Sequence, residues 1–330
     1  MPELPEVETI KRYLEKDLIG RKIKDVKILN KKSFLGDKKK ILNSKIVKIE
    51  RRGKMLIFKL TTDKYGFGTD NNGLTADKYG FGTDNNGLYM KQLTEINYLY
   101  KSVLNPHKSA NDYPYKSVLK SAPIRWLIFH LKLTGQLLFL NFLRNSEIKK
   151  HTRVIFILDK GFLIFNDARK FGWVKVLDDE DLSNELSKIG KEPFDLNFKY
   201  LKGIFSKTKR PIKIVLMDQE KIAGLGNIYA NEALFLAKIH PLKPANKLKD
   251  SEIKNLLSAI KKVIKKAIKL QGTSFRFYVK PDESKGSYQE EFLVYQRKNE
   301  KCLRCKSKIK YIKIGGRGTF YCPRCQKNVD

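Results

Sequence analysis

The chain has 330 residues, enough for two or three modest domains with cores of their own. Lysine and arginine number 68 against 35 aspartate and glutamate, a net charge of +33 with a pI near 9.8, spread along the whole length. That balance points to a polyanionic partner, nucleic acid before a membrane surface, because no basic amphipathic helix stands apart from the core-like ones. No apolar run approaches the ~18 residues of a membrane span, and no signal peptide precedes the first helical pattern. A soluble, cytoplasmic protein with no membrane partner is expected.

The chain opens Met1-Pro2-Glu3-Leu4-Pro5-Glu6. Proline and glutamate in a first turn suit a helix start. With Met1 removed, Pro2 also presents a free secondary amine beside Glu3 and Glu6. An α-amino group titrates near ~8 against ~10.4 for lysine, so it is neutral and nucleophilic far more often at neutral pH. Such an amine can condense with an aldehyde-level carbon to a cationic iminium.

Val7, Ile10, Tyr13, Leu14 and Leu18 form a helical stripe over residues 3–18. Strand patterns follow at 22–29, 45–50 and 55–60. The sequence DKYGFGTDNNGL at 63–74 then returns at 77–88, and YKSVL occurs at 100–104 and again at 115–119. Two copies make no solenoid, so 63–122 reads as a duplicated, mobile insertion. Its Asp70-Asn71-Asn72-Gly73 lacks the ordered ligands and closing glutamate of a calcium loop. Strands resume at 123–130, 136–142, 153–158, 162–165 and 173–177, about eight in all, enough for a two-layer sandwich.

From Asp178 the pattern turns helical. Pro211 starts a short helix over 212–217, and Gly224-Leu225-Gly226 is a tight turn before a helix over 227–237. Asp250 or Ser251 is placed to cap the longest helix, which runs to Gln271-Gly272. The last thirty residues hold all four cysteines, Cys302, Cys305, Cys322 and Cys325, spaced C-x2-C-x16-C-x2-C. That spacing fits one structural Zn²⁺ on four thiolates, and a reducing compartment disfavours two disulfides. Between the pairs, 309–314 and 318–321 read as a hairpin turning at Gly315-Gly316-Arg317.

Several loops suit a polyanion. Lys213, Asn227 and the amides after Gly224-Leu225-Gly226 can hold a phosphate together, although a plain helical corner with a glycine cap fits the same residues. Arg317 at the hairpin tip is either a solvated turn charge or a phosphate contact. Asp167-Ala168-Arg169-Lys170-Phe171-Gly172 and His130-Leu131-Lys132-Leu133-Thr134-Gly135 join strands. Phe171 and Leu133 there are either core side chains or wedges for a base stack.

The ordered set PELPEVET, RRGK at Arg51–Lys54, HLKLTG, DARKFG, GLGNIYANEALF, GGRGTFYCPRC and the paired CxxC resembles the formamidopyrimidine-DNA glycosylase (Fpg/MutM) family over essentially the whole chain outside 63–122. The resemblance implies a multidomain α+β fold. An N-terminal helix and eight-stranded β-sandwich would occupy 1–178, a helix–two-turns–helix domain 179–294 and a zinc-finger hairpin 295–330.

The resemblance further implies a base-excision enzyme that flips oxidised purines from damaged double-stranded DNA, excises them and nicks the strand by β,δ-elimination. Such an enzyme acts as a monomer without a nucleotide cofactor. Pro2 would be the nucleophile, Glu3 the acid for sugar-ring opening, Glu6 its support and Lys54 the catalytic lysine. Arg317 completes the catalytic set through phosphate contact. Lys213, Asn227, His151 and Arg169 would contact DNA, with Leu133, Arg169 and Phe171 filling the void of the flipped base. The loop 272–278 would fold over the extruded base. The chain departs from the family where Leu133 replaces a usual methionine, Lys132 a glycine, Lys170 an arginine and Arg153 a histidine. Two other readings are an endonuclease VIII-like glycosylase for oxidised pyrimidines, and a non-catalytic zinc-ribbon DNA-binding protein.

Overall fold

The structure, a computed structural model, describes residues 2–62, 124–273 and 286–327. The duplicated insertion expected at 63–122 and all but the first two residues of the expected base-covering loop fall outside these.

Helix α1 (Leu4–Leu18) carries the predicted stripe, with Glu3 as its N-cap and Pro5 in its first turn. Val7, Ile10, Leu14 and Leu18 sink into the sandwich core, while Leu4 belongs to the helical core that follows in sequence. The first turn of α1 is therefore a seam between two cores, and the Leu4 amide donates across it to the Gly224 carbonyl at 3.1 Å.

The sandwich has a four-stranded sheet, ordered β1 (Ile23–Ile28), β7 (Thr152–Leu158), β8 (Phe162–Asp167), β6 (Gly135–Leu140). The facing five-stranded sheet is ordered β2 (Phe34–Leu35), β9 (Trp173–Leu177), β5 (Arg125–His130), β4 (Met55–Thr62), β3 (Ser44–Arg52). All eight expected strands are present. The ninth, β2, has only two residues and pairs parallel with β9 at the sheet edge, too short to leave an alternating signature. Alternation within the strands sends Phe58 and Phe129 from one sheet towards Phe156 and Phe165 from the other. Phe129 lies 5.0 Å from Phe58, 5.6 Å from Phe156 and 6.3 Å from Phe165, ring centre to ring centre. Burying each such ring contributes roughly 1.5–3 kcal/mol.

The helical part comprises α2 (Asp179–Ser187), α3 (Phe198–Ser206), α4 (Ile212–Met217), α5 (Asn227–Leu236) and α6 (Asp250–Lys269). Asp250 is the first residue of α6 rather than its cap. Lys249 takes that place, and its amide donates to the Glu252 carboxylate at 2.8 Å. Acidic side chains at Asp250 and Glu252 still face the positive helix end.

The zinc hairpin pairs β10 (Lys310–Ile314) with β11 (Arg317–Tyr321). Gly315 and Gly316 alone make its turn, with φ of 54° and 72°, a left-handed pair that glycine adopts without strain. Arg317 is thus not the tip but the first residue of β11, paired with Ile314. The hairpin docks on the helical part: the Phe320 amide donates to Asn231 at 2.8 Å, and Gln326 Nε2 to the Ile239 carbonyl at 2.9 Å.

Glu232 on α5 ties down the chain entering the hairpin. Its buried carboxylate accepts the amides of Leu293, Val294 and Tyr295 at 2.8, 3.0 and 2.9 Å. Replacing Glu232 with Ala strands three donors in a buried site, so the unfolding free energy should fall by about 3 kcal/mol. Denaturant titration of both proteins measures it.

Candidate active site

At the start of α1 two carboxylates are buried within one helical turn. Glu6 Oε2 accepts the Glu3 amide at 2.8 Å. Glu6 Oε1 accepts the Tyr229 hydroxyl, the Thr273 amide at 2.8 Å and the Thr273 hydroxyl at 3.2 Å. Glu6 thereby joins α1, α5 and the segment after α6 at one point.

Glu3 is less well satisfied. Its Oε1 accepts the Ile228 amide in the first turn of α5 at 3.0 Å, while its buried Oε2 has no hydrogen-bond partner among the described residues. Burial pushes the Glu3 carboxyl above its usual range. The Lys54 charge opposes that rise and the Glu6 charge adds to it. A carboxyl so placed tends to hold its proton, which suits an acid more than a permanent anion. Pro2, immediately before it, is buried.

Lys54 ends the tight β3–β4 turn, after Gly53 with φ of 58°. Its Nζ is buried and donates to the Leu225 carbonyl at 2.7 Å. Burial brings the ammonium down to about 8; Glu3 resists the fall and the charges of Arg317 and Lys132 add to it. The turn is clamped from both sides. The Gly53 amide donates to Glu192 at 2.6 Å, and Arg51 reaches Glu8 of α1 at 2.9 Å and Glu192 at 2.9 Å. Arg52 donates to the Gly190 carbonyl at 2.8 Å.

Lys213 is fully buried, and its Nζ donates to the Thr319 hydroxyl at 2.6 Å and the Gly318 carbonyl at 3.0 Å. Burial lowers it to about 7, with Glu3 opposing and Arg317 assisting. Asn227 Nδ2 donates to the same Gly318 carbonyl at 3.0 Å. The two residues expected to grip phosphate thus meet on β11, beside Arg317. The exposed Arg317 side chain lines a cavity of about 330 Å³ with Arg210, Ile214 and Asp218.

On the sandwich, Asp167 gathers the two expected wedge loops. Its carboxylate accepts the Thr134 hydroxyl, the Arg169 amide at 3.1 Å and the Gly172 amide at 2.6 Å. Phe171 is 53% exposed, too much for a core side chain, and the Arg169 guanidinium stacks 5.1 Å from its ring. Leu133 is half-buried. His130 is held down to about 3 by burial, with Lys132 and Lys54 reinforcing, so it is neutral; its Nδ1 accepts the Lys132 amide at 3.1 Å. That contact goes with the left-handed backbone of Lys132, φ 50°, where a glycine would carry no strain. His151 is half-buried in a cavity of about 340 Å³ with Lys150, Arg153, Ala168 and Lys170.

The four cysteine sulfurs lie within 4.8 Å of one another, and none is in a disulfide. Closest approaches of 3.3 Å for Cys305 and Cys322 and 4.0 Å for Cys302 and Cys325 bracket the roughly 3.8 Å expected for a tetrahedron with Zn–S near 2.3 Å. The donor set fits one structural zinc.

Sequence reasoning did not find Glu192, Tyr229 or Thr273. Tyr229 stands inside the GLGNIYANEALF motif, but its partner Glu6 is 223 positions away. Nothing in the local pattern of Glu192 distinguishes it from a surface carboxylate.

Three family models match in order along the chain: the formamidopyrimidine-DNA glycosylase N-terminal domain at residues 1–72 and 116–174, the formamidopyrimidine-DNA glycosylase H2TH domain at 189–279, and a zinc finger found in FPG and IleRS at 299–328. A formamidopyrimidine-DNA glycosylase of Ligilactobacillus salivarius is 34% identical over 339 aligned positions, covering 99% of each chain. The structure of Lactococcus lactis Fpg with abasic-site DNA superposes with a TM-score of 0.73 at 32% identity, covering 99% of this chain and all of that one. A structure of MutM with DNA containing carbocyclic 8-oxo-G gives 0.73 at 33% identity over the same shares. The fold is that of a multidomain α+β glycosylase with a zinc finger. The chain belongs to the formamidopyrimidine-DNA glycosylase family.

Gly226 offers a direct probe of the site. A methyl group there would overlap the Glu3 carboxyl carbon, so Gly226→Ala must displace the carboxylate. A shift of about 1 Å at a reacting group costs on the order of 10²-fold. We expect that loss in single-turnover strand cleavage, with the melting temperature nearly kept.

Proposed function

We propose that the protein is a base-excision repair enzyme for oxidised purines, 8-oxoguanine and formamidopyrimidines, in duplex DNA. The observation that carries the mechanism is the buried, under-satisfied Glu3 carboxyl between the N-terminal proline and Lys54. Once Met1 is removed, the Pro2 amine attacks sugar C1′ as the damaged base departs. Glu3 gives its proton to the ring oxygen, the ring opens and a cationic iminium links Pro2 to C1′. Loss of a C2′ proton then expels the 3′ phosphate, and a second elimination expels the 5′ phosphate.

Lys54, held by the Leu225 carbonyl until substrate arrives, exchanges that acceptor for lesion or phosphate oxygens. Arg317, Lys213 and Asn227 grip phosphate, with Arg169 and His151 on the sandwich side. Lys213 also donates to β11, which sets the hairpin that carries Arg317. Leu133, Arg169 and Phe171 enter the gap left by the flipped base. Unstacking costs a few kcal/mol, which apolar wedges and several phosphate contacts together offset. Exposure of Phe171 beside a stacked guanidinium supports this reading. The enzyme acts as a monomer without a nucleotide cofactor, in the cytoplasm. Its three functional parts are residues 1–178, 179–294 and 295–330.

A panel of duplexes tests the reading. Strand cleavage should be faster on 8-oxoguanine opposite cytosine than on thymine glycol. Faster thymine glycol cleavage would reverse the lesion class in favour of an endonuclease VIII-like specificity. Cleavage of neither duplex, with tight salt-dependent binding, would mean a non-catalytic DNA-binding protein.

A further inference from the structure

Away from the buried carboxylates, a groove of about 710 Å³ runs between the outer faces of α1 and α6, lined by Arg12, Phe194, Lys261, Lys262, Lys265 and Ile268. Arg12 lies about 13 Å along α1 from Glu3, counting 1.5 Å per residue. The lysines occupy the face of α6 opposite the buried stripe of Ile253, Leu256, Ile260, Val263, Ile264 and Ala267. Arg12 pairs with Glu8 at 2.9 Å, and Lys261, Lys262 and Lys265 have no ion pair among the described residues. Lys261 and Lys265 stand one turn apart, a like-charge pair that disfavours the helix. Phe194, in the link between α2 and α3, leaves 44% of its surface open at the same groove.

An exposed ring beside three lysines that have no ion pair among the described residues adds little to the fold, whereas a ligand would use both. The lysines would meet phosphate as readily as carboxylate, but the carbon of Phe194 and Ile268 matches an apolar side chain, which a peptide carries beside its carboxylates and a duplex backbone does not. We propose that the groove docks an acidic peptide segment of a partner protein, one bearing a single aromatic anchor. Carboxylates of the peptide pair with Lys261, Lys262 and Lys265, and the anchor packs on Phe194 and Ile268, the apolar-centre and charged-rim arrangement of protein interfaces. This inference does not rest on the proposed chemistry.

The test uses the full-length protein, its DNA face first occupied by a duplex carrying an abasic analogue. A fluorescein-labelled peptide of four aspartates followed by Leu-Phe is titrated in by anisotropy. Saturable binding is expected, at least tenfold weaker in the Lys261→Glu/Lys265→Glu variant, with lesion cleavage unchanged. Phe194→Ser should weaken this peptide but not an all-aspartate control. Equal binding of both peptides to the parent protein, or indifference to the lysine reversal, would overturn the proposal. So would displacement of the peptide by undamaged duplex whose own binding is lost in the lysine variant, since the groove would then be a DNA path.

Discussion

Burial of two carboxylates at the first turn of α1 is the constraint on which the rest of the site depends. Taking a carboxylate out of water costs several kcal/mol unless donors replace the water. Glu6 receives such donors from α1, α5 and the segment after α6, so its solvation holds three parts of the chain together. Glu3 receives one amide and the field of Lys54, and one oxygen is left unpartnered among the described residues. The asymmetry divides the labour. Glu6 is a structural tie, and Glu3 is a group whose proton is poised by its surroundings.

The same logic explains why the turn with Lys54 is so heavily clamped. A buried ammonium brought down to about 8 is poorly solvated, and a free turn would swing it into water. Glu192, reached by Arg51 and the Gly53 amide, prevents this from the helical side, and Glu8 does so through Arg51 from α1. Across the seam, the Gly318 carbonyl on β11 is shared by Lys213 and Asn227. A zinc-held hairpin thereby delivers Arg317 towards a site built mainly by α1 and the β3–β4 turn. Positive charge converges there from all three parts, as a ligand with phosphates on several sides requires.

Much of this architecture is legible in the order of the residues. Strands β1 and β3 to β9 announce themselves by short apolar, β-branched and aromatic runs, α1 and α6 by their apolar stripes, and the metal centre by cysteine spacing alone. What escapes are features whose cause is distant in sequence or too short to have a period. Strand β2 has two residues, and Lys249 takes the cap of α6 through a backbone amide that its side chain does not advertise. Arg317 belongs to β11 because two glycines suffice for the turn. Lys213 is readable as a cation near a glycine turn, but its burial against Thr319 follows only from docking of the hairpin. The pairing of Glu3 with Ile228 joins residues 225 positions apart, and no local pattern reports it.

The most direct test of the account is to reduce the reaction with borohydride on a duplex carrying 8-oxoguanine and to map the resulting protein–DNA adduct by peptide mass. The account requires a covalent link at the Pro2 nitrogen, formed by the parent protein and lost in Pro2→Gly. An adduct on a lysine, or none despite removal of Met1 and tight DNA binding, would contradict it.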